Sequence, residues 1–270
     1  MYKTVLIDRN ASRLELKQRV IYLRDLLREL VVRDMKLRYK RSVLGIVWSL
    51  LNPLAQLLVL NLIFSWVLPL DINNYPLFLF IGLVVWTWFQ TALFSATSVI
   101  VDNPDLIRRP GFPVMILPVV TVTTHLIHFL IALPLLLLFL PFGGVQLTGV
   151  WGFLPLVLAL QFVLTLSLSY LVATLHVTFR DTQYLLGIAL LLGFYVSPIF
   201  YETSLIPAHL QWLYRLNPMV SIIEAYRIIL IQGMLPDLRP LLTIGLVSAI
   251  FLWVGYVVFI KQSYRFVEEI

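Results

Sequence analysis

Three of the four histidines, His125, His128 and His176, stand in long apolar stretches. His125 and His128 lie three residues apart, which on a helix puts both rings on one face, compatible with two ligands of a metal. No His-Glu-x-x-His pattern accompanies them and no carboxylate is near in sequence. The better expectation is neutral imidazoles hydrogen-bonded to a neighbouring helix or to channel water, with no metal site. The chain has no cysteine, which removes disulfides, thiolate metal sites and cysteine nucleophiles together. There is no Gly-x-x-x-x-Gly-Lys-Ser/Thr phosphate loop, and no lysine follows a glycine anywhere. No residue is expected to be catalytic and no cofactor is expected on this chain. Any nucleotide that drives it must be bound by another polypeptide.

The elements that hold these residues are apolar to a degree that water does not allow. Of 270 residues, 60% are hydrophobic and 13% charged, where a soluble domain carries about 25% charged. Lipid needs no polar cover, so an all-α integral membrane protein is expected. Stretches of some 20 apolar residues place six transmembrane helices at about 43–68, 75–101, 114–140, 151–179, 184–200 and 238–260. No Asp, Glu, Lys or Arg falls at mid-depth in any of them, Arg239 standing at the mouth of the last. Ion-coupled transporters and intramembrane proteases need ionisable groups at that depth, so both classes are disfavoured. The two halves show no sequence repeat, which disfavours duplicated-bundle transporters.

Twelve of the 20 Lys and Arg precede residue 42. There, Leu16, Val20, Leu23, Leu27, Leu30 and Leu37 recur at spacings of three and four, so residues 12–41 read as an amphipathic helix lying along the membrane surface. The basic excess therefore points to headgroups or a partner, and no nucleic acid is expected. The stretch is charged throughout, with no apolar core before a small-residue cleavage site, so no cleavable signal peptide is expected. Two basic residues near 108, one at 180 and two in the tail share its side, making 17, against three at 215, 227 and 239. The positive-inside rule puts both termini in the cytoplasm. The organisation is an interface helix over 1–42, a transmembrane domain over 43–260 and a tail over 261–270.

Four motifs in register then identify a resemblance. Residues 33–53 contain Arg33, Asp34, Arg38, Tyr39, Lys40, Arg41, Ser42, Leu44, Gly45, Trp48, Asn52 and Pro53 in order. Phe179, Arg180 and Asp181 follow the fourth span, Ser197, Pro198 and Ile199 lie in the fifth, and Leu216, Asn217, Pro218 and Met219 precede the last. Together they resemble type-2 ABC exporter permeases, best the branch that exports O-antigen, capsule and teichoic-acid chains. The resemblance covers nearly the whole chain. It implies a homodimer with two copies of a separate ATP-binding subunit, which carries ATP and Mg. It also implies an undecaprenyl-diphosphate-linked glycan as cargo, O-antigen first, moved across the bacterial inner membrane. The alternatives are capsule, teichoic acid or a small molecule as cargo. A lipid-linked glycosyltransferase would need membrane-depth or interfacial carboxylates, and only Asp102 and Asp105 come near.

The same resemblance gives the surface features candidate roles, each beside a plainer one. Asp102, Asn103, Pro104, Asp105, Arg108 and Arg109 form a short polar loop, with Pro104 suited to start a two-turn helix capped by Asp102 or Asn103 and Pro110 to end it. It is either an ATPase docking surface or a solvated turn. Arg33, Arg38, Tyr39, Lys40 and Arg41 either meet the lipid diphosphate or snorkel to anionic lipid. Trp86, Trp88, Phe89, Tyr195 and Tyr201 either line the channel or form a packing and interfacial aromatic belt. The connection over 201–237 is too long for a turn and too apolar for a free loop. Its two short helices resemble an outer re-entrant pair, with His209, Trp212, Tyr214, Arg215 and Asn217 as gate residues or as an amphipathic lid.

Overall fold

The computed structural model describes residues 2–40, 42, 45–70, 72–141, 144–145 and 148–269, with side chains from Lys17 onward apart from Ile46. Among these residues every regular element is a helix. The first, α1 (Tyr2–Tyr39), runs 38 residues because neither proline nor glycine interrupts it. Its buried stripe is Leu30 and Val31, flanked by half-buried Leu23, Leu26, Leu27 and Met35. Val20 and Leu37, expected on that stripe, are exposed. The helix packs chiefly against α5 (Ile116–Phe139), which it still meets at Arg38 and Tyr39 near its end.

The bundle is organised around α3 (Tyr75–Ser98), in which nearly every side chain from Leu77 to Phe89 is buried. Pro76 sits in its first turn, where a missing N–H costs nothing. Around α3 pack α2 (Trp48–Leu62), α5, α6 (Leu154–Thr178), α7 (Thr182–Val196) and α9 (Pro218–Arg227). The last helix, α10 (Leu238–Glu269), lies along α6. Gly255 permits the approach, since a Cβ there would stand 3.1 Å from the Ser167 carbonyl. The charged residues expected as a tail form the last turns of α10.

Among the described residues five segments are long and apolar enough to cross a bilayer: Trp48–Val67, Tyr75–Ser98, Ile116–Phe139, Gly149–Thr178 and Leu238–Glu269. The fifth expected span is shorter than its sequence stretch. α7 has 15 residues, about 22 Å at 1.5 Å each. Pro198 ends it, having no N–H to continue the ladder. Leu58, Leu62 and Trp66 after the start of α2, Leu185, Ile188 and Leu192 on α7, and Leu242, Leu246 and Ile250 on α10 are exposed and apolar. Surfaces of that kind call for a non-aqueous surrounding.

The two ends of the bundle differ in chemistry. At the basic end a core of Leu30, Val31, Leu106, Ile107, Leu117, Tyr170, Phe259 and Phe266 joins α1 and the one-turn α4 (Pro104–Ile107) to α5, α6 and the end of α10. At the opposite end, residues 203–210 form two 3₁₀ turns that lead into α8 (Gln211–Arg215), and these elements cover the bundle. From there α9 re-enters, with Met219, Ile222, Ile223, Ala225 and Tyr226 all buried in the main core. A π-helical turn over Ile228–Gln232 and Gly233 at φ +64 bring the chain back out.

Candidate functional site

At the basic end, two adjoining cavities of about 120 and 200 Å³ share Arg38 and His125 in their walls. Together they make one groove between α1, α2, α3 and α5. Thr87, Thr91 and Ser95 face it at four-residue intervals on α3, and Thr121, Thr124, His125 and His128 face it on α5. Ser49 and Asn52 close it from α2. A span that packed only against lipid or apolar neighbours would gain nothing from such a stripe.

The histidine pair is hydrogen-bonded across helices, as expected for neutral imidazoles. His128 Nε2 stands 2.9 Å from the Tyr39 hydroxyl, and His125 Nε2 stands 3.3 Å from Arg38 Nη2 and 3.1 Å from Ser95 Oγ. A guanidinium can only donate, so His125 Nε2 accepts and its proton sits on Nδ1. These contacts aim the Arg38 side chain along the groove. Among the described residues Arg38 makes no ion pair; no Asp or Glu lines the first cavity, whereas Asp34 and Asp102 line the second. Two further polar atoms of the lining, Trp88 Nε1 and Thr124 Oγ1, are buried without a hydrogen-bond partner among the described residues. Orphaned polar atoms beside an unpaired cation suit a ligand rich in anionic oxygen.

The remaining basic candidates of α1 separate from Arg38. Arg33 turns to the neighbouring loop, donating from Nη2 to Asn103 Oδ1 at 3.1 Å and pairing with Asp34 at 2.9 Å. Lys40, just past the end of α1, is exposed, and Arg41 lies outside the described residues. The loop itself is rooted by apolar contacts, Leu106 and Ile107 being buried against α1 and α10, while Asp102, Asp105, Arg108 and Arg109 are exposed and Pro104 half-buried. Two expectations are corrected here. The helix has one turn rather than two, because Arg108 already closes it. Neither Asp102 nor Asn103 caps it with a side chain. The Asn103 amide donates back to the Val99 carbonyl at 2.9 Å and its oxygen accepts from Arg33, while Asp102 accepts from Ser98 Oγ at 2.6 Å.

The aromatic candidates divide. Trp86 and Phe89 are buried within the subunit, Trp86 against Gly193 of α7, where a Cβ would stand 2.9 Å from its Cη2. Trp88 lines the groove, and Tyr195 is exposed on α7. Tyr201 donates to the Val196 carbonyl at 2.7 Å and can accept from the Tyr214 hydroxyl at 3.0 Å. Burial, and then that second bond, push its phenol well above the usual range. At the cap end His209, Trp212 and Arg215 are exposed and Tyr214 is half-buried. Asn217 instead caps α9, accepting from the Met219 N–H at 3.0 Å and donating to Ser197 Oγ at 2.9 Å.

Arg227 is the residue that sequence reading missed, having been counted only among the basic residues of the outer connection. It is 6% exposed, yet it has no ion-pair partner among the described residues. Its Nε and Nη2 donate to the Phe78 carbonyl at 3.2 and 3.1 Å, Nη1 to Pro198 at 2.6 Å and Nη2 to Ile199 at 2.7 Å. Its Cζ also lies 3.4 Å from the centre of the Phe78 ring. A signal existed, since Arg227 sits in an apolar run where only Glu224 is also charged.

The groove, the α4 loop, the cap and Arg227 all fall within residues 25–231, the stretch that matches the family model for ABC-2 type transporters. The chain belongs to that family. This ABC-2 permease is 37% identical over 249 residues to the O-antigen export system permease protein RfbA of Myxococcus xanthus, a match covering 92% of the chain and 96% of the relative. It is 33% identical over 257 residues to the O-antigen export system permease protein RfbA of Klebsiella pneumoniae, covering 94% and 98%. The polysialic acid transport protein KpsM of Escherichia coli is 26% identical over 232 residues, covering 84% and 89%. The permease is thus a multi-pass membrane transport subunit and not an enzyme.

Proposed function

We propose that this permease exports an O-antigen chain carried on undecaprenyl diphosphate across the bacterial inner membrane. The observation that carries the reading is its similarity, over nearly the full length of both chains, to O-antigen export permeases. The groove supports it: Arg38 stands in both cavities, and the first, which Trp88 also lines, has no carboxylate, while Asp34 and Asp102 line the second beside Thr124. Deleting the gene in its host should abolish surface O-antigen while lipid-linked glycan accumulates inside. Unchanged surface O-antigen would sink the reading.

In this reading α7, extended by residues 197–200, serves as the fifth of six spans, and both termini lie in the cytoplasm with 17 of the 20 basic residues. Residues 1–42 are the interface helix, 43–260 the transmembrane domain and 261–270 the cytoplasmic end of α10. Two copies enclose the conduit, with Tyr195 and Tyr201 toward it. His209, Trp212, Tyr214 and Arg215 form its outer gate. Two ATP-binding subunits carry ATP and Mg and dock on the loop of Asp102, Asn103, Pro104, Asp105, Arg108 and Arg109, whose buried Leu106 and Ile107 make it a firm lever. The Arg33–Asn103 bond ties that lever to α1 and so to the groove. Reversing the charge of Arg108 and Arg109 should leave membrane insertion intact and uncouple ATP hydrolysis from export. Normal export by that double variant removes the docking assignment.

A further inference from the structure

We propose that Arg227 is a positioning residue that makes α9, the chain leaving α7 and the first turn of α3 one immobile block, so that the outer mouth opens by movement of residues 203–216 alone. The proposal rests on the transport reading only in taking the cap end as the exit. Pro198 stops α7 and leaves the carbonyls of Pro198 and Ile199 without helical partners. Arg227 takes both, and the Phe78 carbonyl as well. One planar cation thereby takes three carbonyls from two other segments and ties both to its own helix. Glu224 and Glu202 act on it only at longer range, so pulling either segment away leaves a buried guanidinium uncompensated in an apolar core.

Other bonds tie the same block. Tyr75 donates to the Phe200 carbonyl at 3.0 Å, and Asn217 donates to Ser197 Oγ at 2.9 Å, with Ser197 fully buried. Gly82 leaves the room, since a Cβ there would stand 2.8 Å from Arg227 Nη2. The cap is held differently. Between 203 and 216 most residues are exposed, and the side-chain bonds joining this segment to the block are Thr203 Oγ1 to Glu224 Oε1 at 2.5 Å and the Tyr201–Tyr214 hydroxyl pair, beside one backbone bond at its end, from the Asn217 N–H to the Tyr214 carbonyl at 3.0 Å. Both pairs are only partly buried, so water replaces them at little cost when they part. Beneath the cap lies a cavity of about 850 Å³, lined by Thr203, Tyr214, Glu224 and Thr243 among others, into which or away from which the segment can move. Gating is thus confined to the cap, and Asn217 belongs to the fixed floor rather than to the gate.

The absence of cysteine lets paired cysteines report on this directly. In the complete transporter, reconstituted with its ATP-binding subunits, one pair joins cap to block (Thr203→Cys with Glu224→Cys) and another lies within the block (Ser197→Cys with Asn217→Cys). Disulfide yield under a mild oxidant is compared without nucleotide and during ATP turnover. The cap pair's yield should fall several-fold during turnover while the block pair's stays constant. Adding Arg227→Met should make the block pair's yield fall too, and Arg227→Lys, which keeps the charge, should give an intermediate fall. A block pair that opens with Arg227 present overturns the proposal, as does a cap pair insensitive to ATP or a block pair insensitive to both Arg227 variants. No glycan is needed, so an error in the cargo assignment would leave the predicted pattern unchanged.

Discussion

Replacing Gly82 with valine should destabilise the subunit by about 3–5 kcal/mol, the range for breaking a buried charge's contacts. The reason is geometric. A Cβ at position 82 would stand 2.8 Å from Arg227 Nη2, 2.9 Å from the Ile199 carbonyl and 3.2 Å from Ile199 Cα. Two of those three neighbours are backbone, and the third is a guanidinium already committed to three carbonyls, so nothing nearby can yield. The branched side chain either expels Arg227 from the Phe78 carbonyl or drives the Ile199 segment outward, and either outcome leaves buried polar groups unpaired. At roughly 2–4 °C per kcal/mol for a chain of this size, thermal unfolding in detergent should drop by about 10 °C. Gly82→Ala should lie between, since overpacking by one methyl costs about 1–3 kcal/mol. A valine variant as stable as the parent would mean that α3 and the 198–199 segment are not held this close.

Arg38→Ala should nearly abolish export without affecting assembly. Arg38 is aimed into the groove by His125 and has no ion pair of its own among the described residues, so its charge is free for cargo. A charged hydrogen bond is worth about 1.5–3 kcal/mol, which at 1.4 kcal/mol per decade is roughly a tenfold to hundredfold loss in apparent affinity. The measurement is the lipid-linked diphosphate concentration that half-stimulates ATP hydrolysis in the reconstituted transporter. Arg38→Lys should recover part of the loss, because an ammonium keeps the charge but not the planar fork that grips two oxygens. Lys40→Ala, just past α1 and outside the lining of both cavities, should shift the half-point far less. Equal effects at both positions would show that the basic surface attracts cargo generally and that the groove has no special part.

How much of this was legible beforehand depends on the range of the interaction. Pro76, Pro104 and Pro198 stand where helices start or stop, because proline acts through its own ring and the neighbouring turn. The stripe of α1 was legible in outline, but its ends were not. Val20 and Leu37 share the spacing of Leu23, Leu27 and Leu30 but not their cover, because periodicity does not encode where the neighbouring helices lie. Asn103 illustrates the same limit. As a residue before Pro104 it reads as a cap, yet in the fold its oxygen serves Arg33, 70 residues away.

By itself the sequence determined that the chain lives in lipid and that its basic residues crowd one end. Composition and charge act locally and survive any arrangement of the helices. That His125 and His128 are hydrogen-bonded to other helices was also anticipated as a type, though not their partners, whereas His176 Nδ1 is buried without one among the described residues. Only the tertiary structure decided that Tyr39 meets His128, that Arg38 meets His125 and Ser95, and that Arg227 collects carbonyls from residues 78, 198 and 199. Those partners lie 28 to 149 positions apart. In an apolar bundle a buried polar group must find whichever partner packing brings within 3 Å or so, and which helices become neighbours is settled by the fit of the whole bundle.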